Sequence, residues 1–352
     1  MSKYKIGICG HFGGDNEFYD GQTVKTKTIT EELITKLGKN NIKIVDTYGW
    51  KKRSVSFFLE CALLAKDCEN VIIFPAHNGV KILVPLFNCI NKIFNRKLYY
   101  IVIGGWLPDL IKNNKIVSKN LKSFNRIYVE TNIMIEKLKE QGFSNVEYLP
   151  NFKRLKTIDD KQLNYKQEKI YKLCTFSRVI KEKGIEDAIK SIENINSAVK
   201  ENIYTLDIYG PIEESYKKEF EKLESKFPEY IKYKGTIEYG KSVETLKDYY
   251  LLLFPTLFKT EGIPGTIIDA YSAGIPVIAA RWNSYSDIID ENKTGLTFEL
   301  GNTEELIEIL KIAYKNPKKI NDMKLNCLKK AKQYSPESAL EILAKEILEL
   351  NK

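Results

Sequence analysis

Short apolar runs recur along the chain, separated by longer stretches in which apolar residues return every three or four positions. The first pattern predicts buried strands and the second amphipathic helices. KYKIGIC (3–9) is a strand that runs into glycines, and positions 21–37 read as a helix. NIKIVDTY (41–48) is a second strand, and NVIIFPA (70–76) another after a helical 54–66 segment. KLYYIVIGG (97–105), RIYVET (126–131) and GFSNVEYLPNF (142–152) complete the first half. After the polar stretch IDDKQLNYKQEK (158–169) the alternation restarts with YKLCTFS (171–177), YTLDIYG (204–210), IKYKGT (231–236), YYLLLFPT (249–256) and IPVIAA (275–280). Strands alternating with helices predict an α/β fold of parallel, doubly wound sheets. The polar stretch marks a joint between two similar domains, 1–157 and 158–334. The final segment, 335–352, has helical spacing in SPESALEILAKEILEL (335–350) and is expected to pack back onto the first domain.

A chain of 352 residues suits two domains of ordinary size. No apolar run reaches the roughly 18–20 residues a membrane-spanning helix needs. The opening MSKYKIGICGHFGG enters a strand directly, with no secretory pattern, so a cytoplasmic protein is expected. The six cysteines form no CxxC pair and read as reduced, mostly buried thiols. With two histidines, His11 and His77, far apart in sequence, a Cys/His metal site has no support. Charge changes the picture more. Residues 1–150 carry 22 Lys and Arg against 14 Asp and Glu, a balance of +8, whereas the remainder carries 33 against 32. An excess confined to one half points that half at something anionic, either nucleic acid or an anionic membrane. A lysine-rich solvated surface is the bland alternative.

Three constellations follow predicted strands. In GICGHFGGDNEFYDGQTVKT (7–26), the GxxGxxG spacing does not match a dinucleotide fingerprint, but the pair Gly13-Gly14 suits a backbone that approaches a phosphate or sugar closely. It equally suits a tight strand-to-helix turn. In FSRVIKEKGIEDAIKSI (176–192), Arg178 and Lys183 stand where two cations neutralise a diphosphate, or where two surface charges are simply solvated. In TEGIPGTIIDAYSAGIPVIAA (260–280), a Gly/Pro turn precedes a helix start, whose free N–H groups favour an anion. Asp269 is explained by the helix dipole alone, but Glu261 lies before the turn, where a carboxylate suits the hydroxyls of a sugar.

Together these residues resemble the retaining glycosyltransferases of family 4, over essentially the whole chain and most strongly from Leu149 to Tyr334. The family's E-x7-E element matches Glu261 and Asp269, and its Arg-x4-Lys-Gly element matches Arg178, Lys183 and Gly184. LPNF (149–152), DIYGP (207–211), YKGTI (233–237), FPT (254–256), SAGIPVIA (272–279) and TGLTFELGN (294–302) fall in the family's order. The resemblance implies the GT-B architecture, two facing Rossmann-like domains with a cleft between them. The N-terminal domain would bind the acceptor and the C-terminal domain a nucleotide-sugar donor, UDP-sugar foremost. Glu261 would hold donor-sugar hydroxyls, with Gly262, Ile263 and Gly265 near the sugar and phosphates. Asp269, a methylene shorter than the usual Glu, would hold the ribose diol. Arg178 and Lys183 would stabilise the leaving diphosphate, with Gly13 and Gly14 across the cleft. The family mechanism is front-face attack with retention, through an oxocarbenium-like transition state. The sequence has no D-x-D metal motif, so neither metal nor cofactor is expected.

Many relatives carry a histidine after the strand that here reads IVIGGWLPD (101–109). Its absence leaves His11, His77, Trp106 and Asp109 as candidate acceptor contacts. The resemblance extends to enzymes of bacterial capsule, exopolysaccharide and lipopolysaccharide synthesis. With it, the +8 half suits a lipid-linked acceptor and peripheral contact with an anionic membrane rather than nucleic acid. GVKILVPLFNCINKIFNRK (79–97) is a segment for that contact, or for packing on the domain's own sheet. An epimerase or phosphorylase on the same fold, and a non-catalytic nucleotide-sugar-binding subunit, are the alternatives.

Overall fold

The computed structural model describes residues 3–14, 21–238 and 240–348, with side chains through 343. Part of the first glycine-rich constellation, residues 15–20, lies outside the described residues.

The chain divides into two units, Met1–Lys153 with Pro336–Lys352 and Arg154–Ser335. The first contains β1 (Tyr4–Gly10), α1 (Gly21–Leu37), β2 (Ile42–Asp46), α2 (Ser54–Asp67), β3 (Cys68–Ile73), α3 (Val80–Phe94) and β4 (Lys97–Ile101). It continues through α4 (Leu107–Lys112), α5 (Lys115–Leu121), β5 (Arg126–Val129), α6 (Asn132–Glu140) and β6 (Val146–Tyr148). Its six strands run parallel in the order β2-β1-β3-β4-β5-β6.

Successive side chains of these strands enter different cores, as the strand period requires. Ile6, Ile8, Ile72 and Tyr99 pack with Ile29 and Leu33 of α1. Cys9, Val71, Ile73 and Tyr100 pack with Phe57 and Leu64 of α2 and Val84 and Phe87 of α3. Both sheet faces are covered, which is why the strands are continuously apolar. Burial pushes the Cys68 thiol up to about 12, so it stays protonated.

The second unit contains β7 (Tyr171–Phe176), α7 (Ile185–Val199), β8 (Tyr204–Tyr209), α8 (Lys217–Glu224), β9 (Ile231–Gly235), α9 (Ser242–Leu246) and β10 (Leu251–Phe254). It ends with α10 (Gly265–Ser272), β11 (Val277–Arg281), β12 (Gly295–Glu299), α11 (Thr303–Lys315) and α12 (Pro317–Ala331). Its six parallel strands are ordered β12-β11-β10-β7-β8-β9, so the order reverses between β7 and β10. Such a reversal is where doubly wound sheets bind ligands, at the strands' carboxyl ends.

The last helix, α13 (Pro336–Leu348), belongs to the first unit, where Ala339, Leu340 and Leu343 are buried against Ile8, Ile72 and Leu33.

The division between Lys153 and Arg154 precedes the polar stretch that marks the joint in the sequence. That stretch is already anchored on the second unit. The Ile158 amide donates to the Ser272 carbonyl at 3.0 Å, and Leu163 fills the space beside Gly274. The Asn321 amide and Lys324 ammonium donate to the carbonyls of Tyr165 and Asn164. Its polar composition reflects exposure of one side, not freedom of the chain. No helix among the described residues is long and apolar enough to cross a membrane.

Candidate functional site

The site in the second unit grows from two strand ends drawn together by one glycine. After β7 the chain turns through Lys181–Lys183 and reaches Gly184, whose φ of +68° lies in the left-handed region. A Cβ there would stand 1.8 Å from the Pro255 carbonyl oxygen. Only glycine permits that conformation together with that approach. The Leu257 amide then donates to the Glu182 carbonyl at 2.8 Å, tying the loop after β10 to the loop after β7.

This crossing brings Lys183 onto Glu261, 78 positions later in the chain. The ammonium donates to Glu261 Oε1, and Thr256 Oγ1 donates to the same oxygen at 2.9 Å. The Lys183 ammonium also lies 5.3 Å from the ring centre of Phe254 and 5.2 Å from that of Phe258. The two charged side chains keep only 13% and 16% of their surface exposed. A pair so enclosed is weakly screened and holds its geometry before a ligand arrives. Both bonds fall on Oε1, which leaves Oε2 the better placed oxygen to accept from hydroxyls.

Arg178 stands apart from that pair. Its guanidinium bonds Glu213 at 3.1 Å, both side chains being about half exposed, at 49% and 45%. Gly262 and Ile263 are buried, and Pro264 caps the start of α10, so Gly265 is the glycine of the turn that keeps open surface. Asp269, on the inner side of α10, has no exposed surface and accepts from Ser242 Oγ at 2.7 Å. Ser242 was not singled out from sequence, since a serine seven residues past the end of β9 carries no signal. Thr266 was missed for the same reason. Its hydroxyl lies buried in the first turn of α10 with no hydrogen-bond partner among the described residues.

In the first unit the loop after β1 is held by a residue that sequence reading passed over. Asp46, at the end of β2, accepts from the amides of Phe12 and Gly14, both at 2.9 Å, and of Tyr48 at 2.8 Å. Gly13 and Gly14 both have left-handed φ, +85° and +57°, so the loop folds over this carboxylate. The signal was the Asp closing the second strand, visible only once β2 is known to lie beside β1.

The two histidines separate. His11 bonds Thr23 Oγ1 through Nδ1 at 2.7 Å and lines a cavity of about 180 Å³ with Gln22, Trp50, Phe57 and Ile82. His77 lies with Trp106, Asp109 and Lys81 around a second, open cavity of about 380 Å³. The His77 and Trp106 rings meet edge-on, 5.2 Å apart, and Trp106 Nε1 donates to the Ile103 carbonyl at 2.8 Å. With its N–H engaged, Trp106 offers a ring surface. Three of the four candidate acceptor contacts are thus brought together, and His11 is not among them.

Comparison with known proteins gives this arrangement a family. Residues 156–330 match the model of the glycosyl transferases group 1 family. The chain is 22% identical over 258 residues to an uncharacterised glycosyltransferase of Methanocaldococcus jannaschii, covering 69% of this chain and 58% of that protein. It is 27% identical over 131 residues to the sulfoquinovosyl transferase SQD2 of Arabidopsis thaliana, covering 36% of this chain and 24% of that protein. The chain therefore spans little more than half the length of the first curated relative and a quarter of the second.

Among solved structures, the Anabaena protein Alr3699/HepE in complex with UDP superposes with a TM-score of 0.77 at 12% identity, over 97% of this chain and 98% of that one. A sucrose-phosphate synthase from Thermosynechococcus elongatus superposes at 0.78 and 12% identity, over 99% of each. At such identities the likeness establishes the fold, GT-B with its two six-stranded parallel sheets. The second unit of this chain is a group 1 glycosyltransferase domain on a GT-B scaffold.

Proposed function

We propose that this chain is a retaining glycosyltransferase that moves a sugar from a nucleoside-diphosphate sugar, UDP-sugar foremost, to a saccharide or lipid-linked acceptor. The observation that carries the reading is the enclosed Lys183–Glu261 pair with Thr256, built at the strand reversal of a group 1 glycosyltransferase domain. Glu261 holds donor-sugar hydroxyls through Oε2, and Lys183 faces the leaving diphosphate. Arg178 reaches the same phosphates by leaving Glu213, a half-exposed partner whose loss costs about 1 kcal/mol or less. Gly265 and Thr266 place an amide and a hydroxyl at the start of α10, where an anion is favoured. Asp269 acts from beneath, fixing Ser242 at the ribose end of the pocket.

When the bond from the anomeric carbon to phosphate oxygen breaks, its electron pair leaves with the nucleoside diphosphate. The acceptor oxygen attacks from the same face and gives up its proton to the departing phosphate. Fixed cations beside the growing phosphate charge lower that barrier, and no protein nucleophile is required. The reading calls for no divalent cation, so EDTA should leave turnover unchanged. The first unit supplies the acceptor side, with Trp106 stacking on a sugar ring and His77 and Asp109 beside it. Its positive balance suits work at the cytoplasmic face of an anionic membrane, in cell-surface polysaccharide synthesis.

The test begins with a screen of nucleotide sugars for thermal stabilisation. A donor at about 100 times its Kd should add about 2.7 kcal/mol. The stabilising donor is then incubated with candidate acceptors, and the anomeric configuration of the product is read by NMR. An inverted product removes the retaining assignment, and interconversion of the donor sugar with no acceptor present makes the chain an epimerase.

A further inference from the structure

Helix α2, SVSFFLECALLAKD, carries more apolar residues than one buried face requires. Only one side is buried. Phe57, Cys61, Leu64 and Ala65 enter the core of the first unit. Val55, Phe58, Leu59 and Leu63 form a second stripe at helical spacing, and they face out, with Val55 84% and Leu59 61% exposed. Trp50 extends this stripe through its ring contact with Phe58, and Ile44 on the edge strand β2 is exposed as well.

By contrast α3, on the segment that the sequence leaves open between lipid contact and packing on the sheet, turns Val80, Leu83, Val84 and Phe87 into the core and leaves Ile82 and Ile93 exposed. Among the described residues the longer exposed apolar stripe is therefore on α2, and contiguous exposed apolar surface of this kind marks an interaction site.

The charges around the stripe select the occupant. Lys51, Lys52 and Lys66 are exposed along it, with Lys81 on the neighbouring α3. The acids on α2 are already engaged, Glu60 by Arg53 through both oxygens at 2.7 Å and Asp67 by Lys43 at 2.7 Å. Apolar side chains, a tryptophan and a rim of lysines, with the acids neutralised, fit the interface of an anionic bilayer.

We propose that the outward stripe of α2, with Trp50, Lys51 and Lys52, is the surface by which the chain lies on an anionic lipid bilayer. This rests on the reading of an acceptor presented at a membrane and assigns the contact to residues. Trp50 lines the smaller cavity of the first unit as well as bordering the stripe, and the partly exposed Ile82 lines it too. The stripe thereby borders the cavity that His11 lines.

The test is sedimentation of the full chain with phosphatidylcholine vesicles, with and without phosphatidylglycerol. The wild type is expected to sediment with the anionic vesicles and to be released by salt. The exposed double variant Val55→Ser/Leu59→Ser should bind at least about tenfold more weakly, since both side chains lose apolar contact with lipid. Lys51→Gln/Lys52→Gln should weaken binding and flatten its salt dependence. Stabilisation by UDP, measured on the same samples, should be unchanged in both variants.

Equal sedimentation of wild type and the serine variant overturns the proposal, as does a wild type that ignores anionic vesicles at low salt. A self-associating wild type made monomeric by the serine pair overturns it too, by giving the stripe to a second copy. Absence of UDP stabilisation in every sample counts against the glycosyltransferase reading alone, because the vesicle result stands without it.

Discussion

The second unit keeps its candidate donor groups under cover, whereas the first leaves its candidate acceptor groups in the open. Lys183 and Glu261 are enclosed by Thr256, Phe254 and Phe258, and Asp269 is sealed behind Ser242. His77, Lys81 and Asp109 are all exposed around a shallow cavity. Both units are built on a six-stranded parallel sheet, so the contrast does not come from the class of scaffold. It matches the ligands proposed for each side. A leaving diphosphate needs fixed charge at the moment of bond breaking, and enclosure supplies it. An acceptor hydroxyl needs placement, which an open aromatic surface supplies.

The hardest break of this contrast is Glu261→Gln. The variant keeps the shape but leaves Lys183 enclosed without a counter-charge. Turnover at saturating donor is expected to fall about 100- to 1,000-fold, the scale seen when one preorganised group is removed. Stability should fall by about 3 kcal/mol, because breaking an enclosed pair is worse than never having it. UDP release and a denaturant midpoint measure the two. Wild-type turnover in this variant would break the assignment of the site.

Next in size is Gly184→Ala, which strikes the crossing that assembles the pair. A left-handed φ and a Cβ placed 1.8 Å from a carbonyl oxygen together predict a loss of roughly 2–4 kcal/mol. Gly49 in the first unit has a similar φ of +64° but open space around its Cβ position. Gly49→Ala should cost only about 1 kcal/mol. Equal losses at the two glycines would mean that close contact adds nothing at Gly184.

These two glycines also show how far the sequence could be read. SRVIKEKG and TEGIPGTIID announced Lys183, Gly184 and Glu261 through residue type and local spacing. The strand order that lays Pro255 against Gly184 was not local, nor was the bond from Ser242 to Asp269. Strand β12 was read only as a motif, since its five residues lack a long apolar run. In the first unit the alternation of strands and helices was plain, but Asp46 emerged only when β1 and β2 were seen side by side. The outward stripe of α2 stayed hidden for a different reason. Its apolar residues look identical to core residues until one face is found uncovered.

A third measurement asks whether burial in the second unit tolerates charge without a partner acid. Lys324, 5% exposed, donates to the Asn164 carbonyl, and burial pushes its pKa down to about 8. Between that value and the ordinary lysine value near 10.5, the unfolded chain holds a proton that the folded chain has released. Stability contributed by this group therefore rises with pH across that window and is lowest below pH 8. Lys324→Met should remove the rise, a difference of up to about 3 kcal/mol in melts followed from neutral pH to pH 10.5. Parallel pH profiles for the two proteins would show that the lysine is not held in an unfavourable charged state.

On the open side, Trp106→Ala and His77→Ala are expected to raise the acceptor KM about fivefold with little change in donor hydrolysis, since stacking contributes about 1 kcal/mol and touches no reacting atom. A matching fall in hydrolysis would place these residues in the donor chemistry, and the contrast between the units would weaken.

The smallest effect belongs to Arg178, the one candidate donor cation that is not enclosed, and it sharpens the contrast most. Its pair with Glu213 is half exposed, so Arg178→Ala should change stability by less than about 0.5 kcal/mol. If Arg178 turns from Glu213 to the donor phosphates, Glu213 competes with the substrate. Glu213→Ala should then lower the donor KM a few-fold, while Arg178→Ala raises it, and the double variant should match Arg178→Ala alone. Additive effects would mean that Glu213 acts on the donor by another route. Enclosure fixes Lys183 in advance, whereas Arg178 remains a movable charge whose availability a neighbouring carboxylate sets.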